Sequence, residues 1–314
     1  MARTPQRAEL IKEAIQLREF GWTQQRIADD LNVPRRTITR WLVNNGHVTP
    51  DNLGHNTIVA KKRKASSATS ITLFPCRYEQ ITEKEIPPES IDLILTDPPY
   101  LVSSADISRN NQNDLRRDFG EWDKTSQKDY ENSVALWAYL MASQLKPGGS
   151  LYLFMARRLL NLWLTNLGQC GLSDNGLLIW HRNNPAPQIR QTRWCPAFDM
   201  ILFFSKGSPK TFRWLGQNEM HNVISGGICA GTERGWSHPT QKPRWLLRKL
   251  LRVSSRQSDT ILDPFAGSGS AAFASFELPS SRHIILIEPE PKYIGLIQST
   301  AKEEFGCKVT LKDS

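Results

Sequence analysis

Residues 91–100 read IDLILTDPPY, and this stretch decides the fold of the chain. Apart from Asp92, the first five residues are apolar, and such a near-continuous run predicts a short strand buried on both faces, as in the centre of a parallel sheet. The two prolines that follow remove two backbone donors and fix φ, so the chain must leave the sheet in a stiff turn. Asp97 and Tyr100 are therefore expected at the carboxyl end of a strand, the edge where ligands bind in α/β sheets.

Two further stretches predict a nucleotide-type pocket at the same edge. Residues 260–270 (TILDPFAGSGS) are again a short apolar strand, followed by a turn whose glycines let the backbone approach a ligand closely. Residues 283–288 (HIILIE) form another apolar strand that ends in Glu288, where nucleotide-binding sheets place the acid that holds ribose hydroxyls. An isolated Asp-Pro-Pro would indicate only a capped strand end, but the three stretches together indicate a ligand site.

These motifs resemble the S-adenosylmethionine-dependent DNA amino-methyltransferases, in the permuted order (the β class) that puts DPPY before the glycine-rich loop. Residues 236–243 (WSHPTQKP) resemble the family's HPTQKP segment, and residues 145–152 (LKPGGSLY) resemble the turn and strand after the catalytic strand. Residues 178–184 with residues 201–207 resemble the next hairpin. The resemblance covers residues 71–305 and implies an α/β fold, a Rossmann-like doubly wound methyltransferase sheet over residues 71–314, with S-adenosylmethionine as cofactor.

The resemblance also implies roles for single residues. It assigns catalysis to the turn formed by Asp97, Pro98, Pro99 and Tyr100. It assigns cofactor binding to Asp263, Phe265, Gly267, Ser268, Gly269, Glu288, His238, Thr240 and Lys242. Lys242 suits the methionine carboxylate as a charged partner, whereas His238 is interpreted almost equally well as a turn histidine satisfied by the backbone. Family members usually carry Gly-Asp where Phe74-Pro75 stands here, which leaves open any contact from residues 74–76.

The chemistry expected of the turn is methyl transfer to an exocyclic amine. Such an amine is a poor nucleophile because its lone pair is delocalised into the ring. The Asp97 carboxylate and the Pro98 carbonyl could accept its two N–H groups and localise that lone pair, through positioning and preorganised electrostatics, with no metal. The base must first leave the duplex, and Tyr100 is expected to stack on it.

Three functions are compatible with a chain that carries this turn. Asp in DPPY favours adenine N6, because cytosine N4 enzymes of the family more often carry Ser there. Cytosine N4 remains the nearest alternative. A DNA-binding regulator with a disabled methyltransferase fold is the alternative from another class, and the intact motif residues argue against it.

Residues 1–48 predict a separate all-α helix-turn-helix domain. Apolar periodicity indicates helices over residues 7–20, 24–31 and 35–43, of which the third would enter the major groove of double-stranded DNA. The outward face of the third helix carries residue types that reach phosphates and base edges, namely Arg35, Arg36, Thr37, Thr39 and Arg40. The alternative is a helical bundle that docks on the catalytic domain or dimerises.

Composition supports a DNA partner and argues against membrane and secreted classes. The formal charge is +9, and residues 1–64 carry 12 Lys and Arg against 6 Asp and Glu, which indicates a polyanionic partner. Residues 49–70 are polar, contain the basic run KKRK and predict a flexible linker. Without a long apolar run or a signal segment, the chain is expected in the cytoplasm of a bacterium, or encoded by a phage, and associated with the nucleoid. Its 5 scattered cysteines indicate reduced, partly buried thiols and neither disulfides nor a zinc site.

Two segments have weak patterns. Residues 101–124 form a long polar stretch. It is predicted to close over DNA or cofactor, with residues 119–123 as its anchored end, and the alternative is a surface insertion. Residues 185–236 lie where the family has its target-recognition segment, and amide and guanidinium groups such as those of Arg190 and Arg193 suit base edges. The sequence leaves open the recognition site, whether the protein forms a homodimer, and whether it acts as a solitary methylase or within a restriction-modification pair.

Overall fold

The computed structural model describes residues 4–19, 22–31, 33–45, 69–100, 126–185, 191–192, 194–229 and 241–312. The helices are α1 (Thr4–Glu19), α2 (Gln24–Leu31), α3 (Arg35–Asn44), α4 (Gln127–Gln144), α5 (Leu160–Gln169), α6 (Arg244–Ser254), α7 (Ser270–Phe276) and α8 (Pro291–Phe305). The strands are β1 (Ser70–Phe74), β2 (Ile91–Thr96), β3 (Leu145–Met155), β4 (Ser173–Arg182), β5 (Phe198–Ser205), β6 (Val223–Gly226), β7 (Thr260–Asp263), β8 (His283–Ile287) and β9 (Val309–Leu311).

The strands join in one sheet, in the order β6-β4-β5-β3-β2-β7-β8-β1-β9. As predicted, β2 is a central parallel strand, paired with β3 on one side and β7 on the other. Strand β5 runs antiparallel to β3 and β4, while β1, β2, β7 and β8 are all parallel. The carboxyl ends of β2, β7 and β8 therefore meet at one edge, which we call the catalytic edge.

Helices cover both faces of the sheet. Leu93 and Leu95 pack on the face with α6, α7 and α8, whereas Ile94 between them packs on the face with α4 and α5. All three side chains are buried. Truncating a buried leucine of this kind costs about 2–5 kcal/mol. The predicted doubly wound α/β sheet is confirmed, and its layers explain why the apolar run of β2 has no polar side.

Two helices begin earlier than the apolar pattern indicated. Helix α1 begins at Thr4 rather than residue 7, because Pro5 is tolerated in the first turn of a helix. Helix α4 begins at Gln127, before its first buried side chain, Tyr130, because the Ser126 side chain caps the backbone N–H of Asp129 at 3.2 Å. A polar first turn carries no apolar period, so periodicity alone misses it.

The three N-terminal helices form a module with its own core, built around Trp22, Ile27, Ile38 and Leu42. Helix–helix pairs α1–α2, α1–α3 and α2–α3 all contact one another. Helix α2 agrees with the predicted bounds. Residues 46–68, which hold most of the predicted linker, lie outside the described residues.

The module docks on the catalytic domain through acids that meet buried arginines of α6. Asp30 pairs with Arg248 at 2.8 Å and with Arg252 at 3.3 Å, and Glu13 pairs with Arg252 at 3.0 Å. The Arg248 guanidinium also lies 4.2 Å from the ring centroid of Trp22. Docking, which the sequence offered as an alternative to DNA binding, is therefore present. It uses α1 and α2, so the arginines on α3 stay exposed.

Two further findings concern the described residues only. None of their helices is long and apolar enough to cross a membrane, and no group of three His, Cys, Asp or Glu side chains among them could hold a metal ion. Of the cysteines expected to be partly buried, Cys76 and Cys229 are buried and Cys195 is exposed.

Candidate active site

A pocket of about 380 Å³ lies at the catalytic edge. Its walls come from the turn after β2 (residues 96–100), the turn after β7 (residues 263–268), Glu288 after β8, and Lys242 before α6. This volume falls in the range of small-molecule sites, roughly 300–1,000 Å³. Segments more than 160 positions apart in the sequence thus form one pocket, because parallel strands end at the same edge.

The Asp97 carboxylate has a partner on each oxygen. The Tyr100 hydroxyl donates to Asp97 Oδ1 at 2.5 Å, and the Lys242 ammonium contacts Asp97 Oδ2. The Tyr130 hydroxyl donates to the Pro99 carbonyl at 2.7 Å and anchors the turn from the side of α4. Burial, with the nearby Asp97 charge, raises the pKa of Tyr100 well above its ordinary value, so its phenol remains a donor at neutral pH.

Asp263 connects the two turns. Its Oδ1 accepts from the Thr96 hydroxyl at 2.8 Å and from the Phe265 backbone N–H at 3.2 Å. Burial raises the pKa of Asp263 to about 7. The sequence predicted Asp263 as a cofactor residue. Its carboxylate lines the pocket, and its hydrogen bonds in the structure hold the end of β2 to the turn after β7.

The Glu288 carboxylate holds the backbone of the glycine turn after β7. The Gly267 backbone N–H donates to Glu288 Oε2 at 2.7 Å, and the Glu290 N–H donates to Oε1 at 3.0 Å. Burial raises the pKa of Glu288 to about 7. Gly269 has φ +77°, and a Cβ there would lie 2.9 Å from Cγ1 of Ile297, so glycine is required by both conformation and space.

Sequence reasoning missed an aromatic wall. Phe265 makes edge contacts with Tyr78, at 5.7 Å between ring centroids, and with Trp137, at 4.8 Å. Tyr78 lies in a 3₁₀ turn (Tyr78–Gln80) after β1, and Trp137 Nε1 donates to Glu79 Oε1 at 2.6 Å. Arg77, Tyr78 and Glu79 thus line the pocket at the place left open by the Phe74-Pro75 departure. They reach this edge because β1 runs parallel to β8, a pairing that no local sequence pattern shows.

Several predicted residues lie outside the described residues. They are His238, Thr240, Arg190 and Arg193, together with the segment 101–124. Of the cofactor residues in the HPTQKP segment, the structure describes Lys242.

Strand β5 divides the predicted target-recognition segment. Because β5 runs against its neighbours, Phe198 at its start lies at the catalytic edge and Ser205 at its end lies at the opposite edge. Beyond Ser205, the Lys210 N–H donates to the Gly148 carbonyl at 2.9 Å, and the Arg213 N–H donates to the Val253 carbonyl at 2.8 Å. These two residues are therefore far from the pocket. Strand β6, which is parallel to β4, then returns the chain to the catalytic edge at Gly226. The prediction of base contacts therefore stays for the parts of the segment before β5 and after β6.

On α3, the side chains predicted to reach DNA differ in what they contact. Arg35, Arg36 and Arg40 are exposed. The Thr39 hydroxyl donates to Gln24 Oε1 at 2.7 Å, so it serves within the module. The arginines are the groups on this face that are available to an anionic partner.

Comparison with known protein families identifies two regions. Residues 91–299 match a family of DNA methylases, the N6/N4 type, and residues 1–43 match a homeodomain-like domain. The chain is 34% identical over 239 residues to the type II methyltransferase M.HinfI of Haemophilus influenzae, a match that covers 70% of this chain and 65% of M.HinfI. It is 29% identical over 231 residues to the type II methyltransferase M2.DpnII of Streptococcus pneumoniae, covering 69% of this chain and 84% of that protein.

Solved structures show the same fold at low identity. The M1.HpyAVI–SAM complex aligns with a TM-score of 0.53 at 22% identity, covering 73% of this chain and 98% of that one. The cytosine-N4-specific PvuII DNA methyltransferase aligns with a TM-score of 0.57 at 19% identity, covering 75% of this chain and 88% of that one. Both likenesses agree with the sheet described above.

Proposed function

The chain belongs to the N6/N4 DNA methylase family, and from that premise we propose that it transfers a methyl group from S-adenosylmethionine to the N6 amine of an adenine flipped out of DNA. One observation carries the proposal: the Asp97 turn, the Gly267 turn and Glu288 line a single pocket. A methyl donor and an acceptor amine bound to these turns would share one crevice, which is the positioning that such a transfer requires.

The residues of the pocket fit S-adenosylmethionine. Glu288 is a buried acid at the end of a strand, suited to ribose hydroxyls, and Gly269 keeps the turn free of a side chain. Phe265 and the aromatic wall around it provide an apolar surface for a purine. When bound, S-adenosylmethionine supplies a methyl group on a positively charged sulfur. Lys242 is a cation on the pocket wall that suits the carboxylate of its methionine end.

The catalytic turn acts on the amine through its acceptors. The Asp97 carboxylate and the Pro98 carbonyl take the two N–H groups, so the nitrogen lone pair is localised and directed away from the turn. Tyr130 holds the Pro99 carbonyl, which restrains the turn before the base arrives. Such preorganised acceptors require little rearrangement during the reaction. The Tyr100 ring is the aromatic face on which the flipped base would stack.

Double-stranded DNA is the proposed partner, and we propose that the module of α1–α3 helps to hold it. The exposed Arg35, Arg36 and Arg40 support phosphate contacts. A soluble, nucleoid-associated enzyme would agree with the charge of +9. Sedimentation of the free protein and of its DNA complex would decide between a monomer and a homodimer.

Mass spectrometry of nucleosides tests the proposal directly. Unmethylated DNA is treated with the protein and S-adenosylmethionine and is then digested. N6-methyl-2′-deoxyadenosine is the expected product, and N4-methyl-2′-deoxycytidine alone would overturn the choice of adenine. If neither forms although the protein binds the cofactor, the regulator with an inactive fold is the better account.

A further inference from the structure

The ammonium of Lys242 lies against the catalytic turn, beside Asp97 and the Tyr100 ring. Its side chain is buried, it contacts Asp97 Oδ2, and it lies 5.9 Å from the ring centroid of Tyr100 and 5.2 Å from that of Phe154. Asp97 Oδ1 is already taken by Tyr100. Each oxygen of the proposed catalytic acid therefore has a partner from the protein itself.

The contacts of this ammonium are those that a target amine would need. A flipped base has to place an N–H donor against the Asp97 carboxylate and its ring against Tyr100. Lys242 places N–H donors against that carboxylate and its charge near that ring. The lysine thus lies where a substrate amine would donate to Asp97 Oδ2, and in this position it competes with the base for that oxygen.

We propose that Lys242 is a positioning residue that guards Asp97, and that the carboxylate of the bound cofactor draws its ammonium away so that the base can enter. The inference rests on the proposed function. Breaking a buried ion pair is costly when one charge is left without a partner. The move is therefore favourable only when a second anion replaces Asp97, and the methionine carboxylate is such an anion. Lysine suits the task because its charge is compact and its four-carbon stem is flexible.

If Lys242 exchanges partners in this way, cofactor binding is coupled to the separation of its ammonium from Asp97. Asp97 and the cofactor carboxylate compete for one ammonium, so weakening the first interaction must strengthen the second. Couplings between sites in proteins are typically about 5–150-fold in affinity. A permanent structural pair would behave differently, because Lys242 would then stay on Asp97 and ignore the cofactor.

Two ligands isolate the carboxylate. S-adenosylhomocysteine carries the amino-acid end, and 5′-methylthioadenosine has the same nucleoside and thioether without it. We would measure the affinity of both by calorimetry for wild type, D97N, K242M and the double variant D97N/K242M. E219Q is the matched control, because Glu219 and Lys249 also form a partly buried pair, at 2.7 Å, outside the pocket.

The expected pattern is specific. D97N should bind S-adenosylhomocysteine about tenfold more tightly than wild type, K242M should bind it more weakly, and the double variant should match K242M. Binding of 5′-methylthioadenosine should be the same in all variants, which also shows that their pockets are folded. E219Q should match wild type for both ligands.

Other results would overturn the inference. Equal S-adenosylhomocysteine affinity in wild type and D97N would mean that Lys242 does not exchange partners, while the proposed methyltransferase would stand. Parallel changes for both ligands would mean that the effect does not act through the carboxylate. If wild type bound neither ligand, the proposed function itself would fail, and the guard with it.

Discussion

The Thr96 hydroxyl donates to the Asp263 carboxylate at 2.8 Å, and this hydrogen bond joins residues 167 positions apart in the sequence. Thr96 is the last residue of β2 and precedes the proposed catalytic acid. Asp263 is the last residue of β7 and precedes the glycine turn. The relative position of the two turns therefore depends on a buried bond between the two strand ends.

Replacing Thr96 with Val should disturb that position while keeping the shape of the side chain. Asp263 would keep the Phe265 N–H but lose the Thr96 donor, and the net loss of one such hydrogen bond costs about 0.5–1.5 kcal/mol. We expect a lower melting temperature and a lower kcat. T96S retains the hydroxyl and should stay close to wild type in both measurements. A T96V protein with unchanged kcat would show that the bond does not set the geometry of the turns.

The raised pKa of Asp263, about 7, should make stability depend on pH. Because the folded state holds this proton more tightly than the unfolded state, the contribution is largest below the unfolded pKa near 4 and is lost as pH rises to about 7. Wild type should therefore lose more stability than D263N between pH 5 and pH 8 in urea unfolding. Parallel pH profiles for the two proteins would contradict the raised pKa.

Cofactor affinity should rise with pH through the titration of Glu288, whose pKa of about 7 reflects burial. Ribose hydroxyls donate to the ionised carboxylate, so binding favours loss of the proton and weakens below pH 7. Calorimetry of S-adenosylhomocysteine at pH 6 and pH 8 should show tighter binding at pH 8. In E288Q, affinity for S-adenosylhomocysteine should be weaker and should change less with pH. The pH dependence that remains should come from Asp263, which lines the same pocket and also has a pKa of about 7.

Docking of the N-terminal module should depend on Asp30, which pairs with Arg248 and Arg252. D30N would leave two largely buried arginines with weaker partners, and loss of a partner from such a network costs about 3–5 kcal/mol at most. Hydrogen exchange along α2 and α6 should become faster. R36A is the control, since Arg36 is exposed on α3, and its exchange in α6 should match wild type.

DNA binding by α3 should appear in the salt dependence of affinity. If Arg36 and Arg40 each contact a phosphate, R36A/R40A should reduce the slope of log affinity against log salt by about 1.8, from roughly 0.9 per contact. Fluorescence anisotropy over a salt series measures the slope. D30N serves as the comparison, because it changes docking without removing a positive charge. An unchanged slope in R36A/R40A would remove α3 from the DNA interface.

The sequence alone determined the three strands that carry the pocket motifs, because burial on two faces requires local apolar patterns and stiff or glycine-rich turns require particular residues. The stretches 91–100, 260–270 and 283–288 were identified in this way, as was helix α2. Parallel strands then had to bring Asp97 and Glu288 to the same edge, and the structure places them there.

Only the tertiary structure decided which distant groups touch. The contact of Lys242 with Asp97, the docking of Asp30 on α6 and the place of Tyr78 beside Phe265 have no local pattern. Such contacts depend on how elements far apart in the chain pack together, and many partners of suitable charge or size were available in the sequence. The reversal of β5, which carries Lys210 and Arg213 away from the pocket, likewise became visible only once the strands were paired.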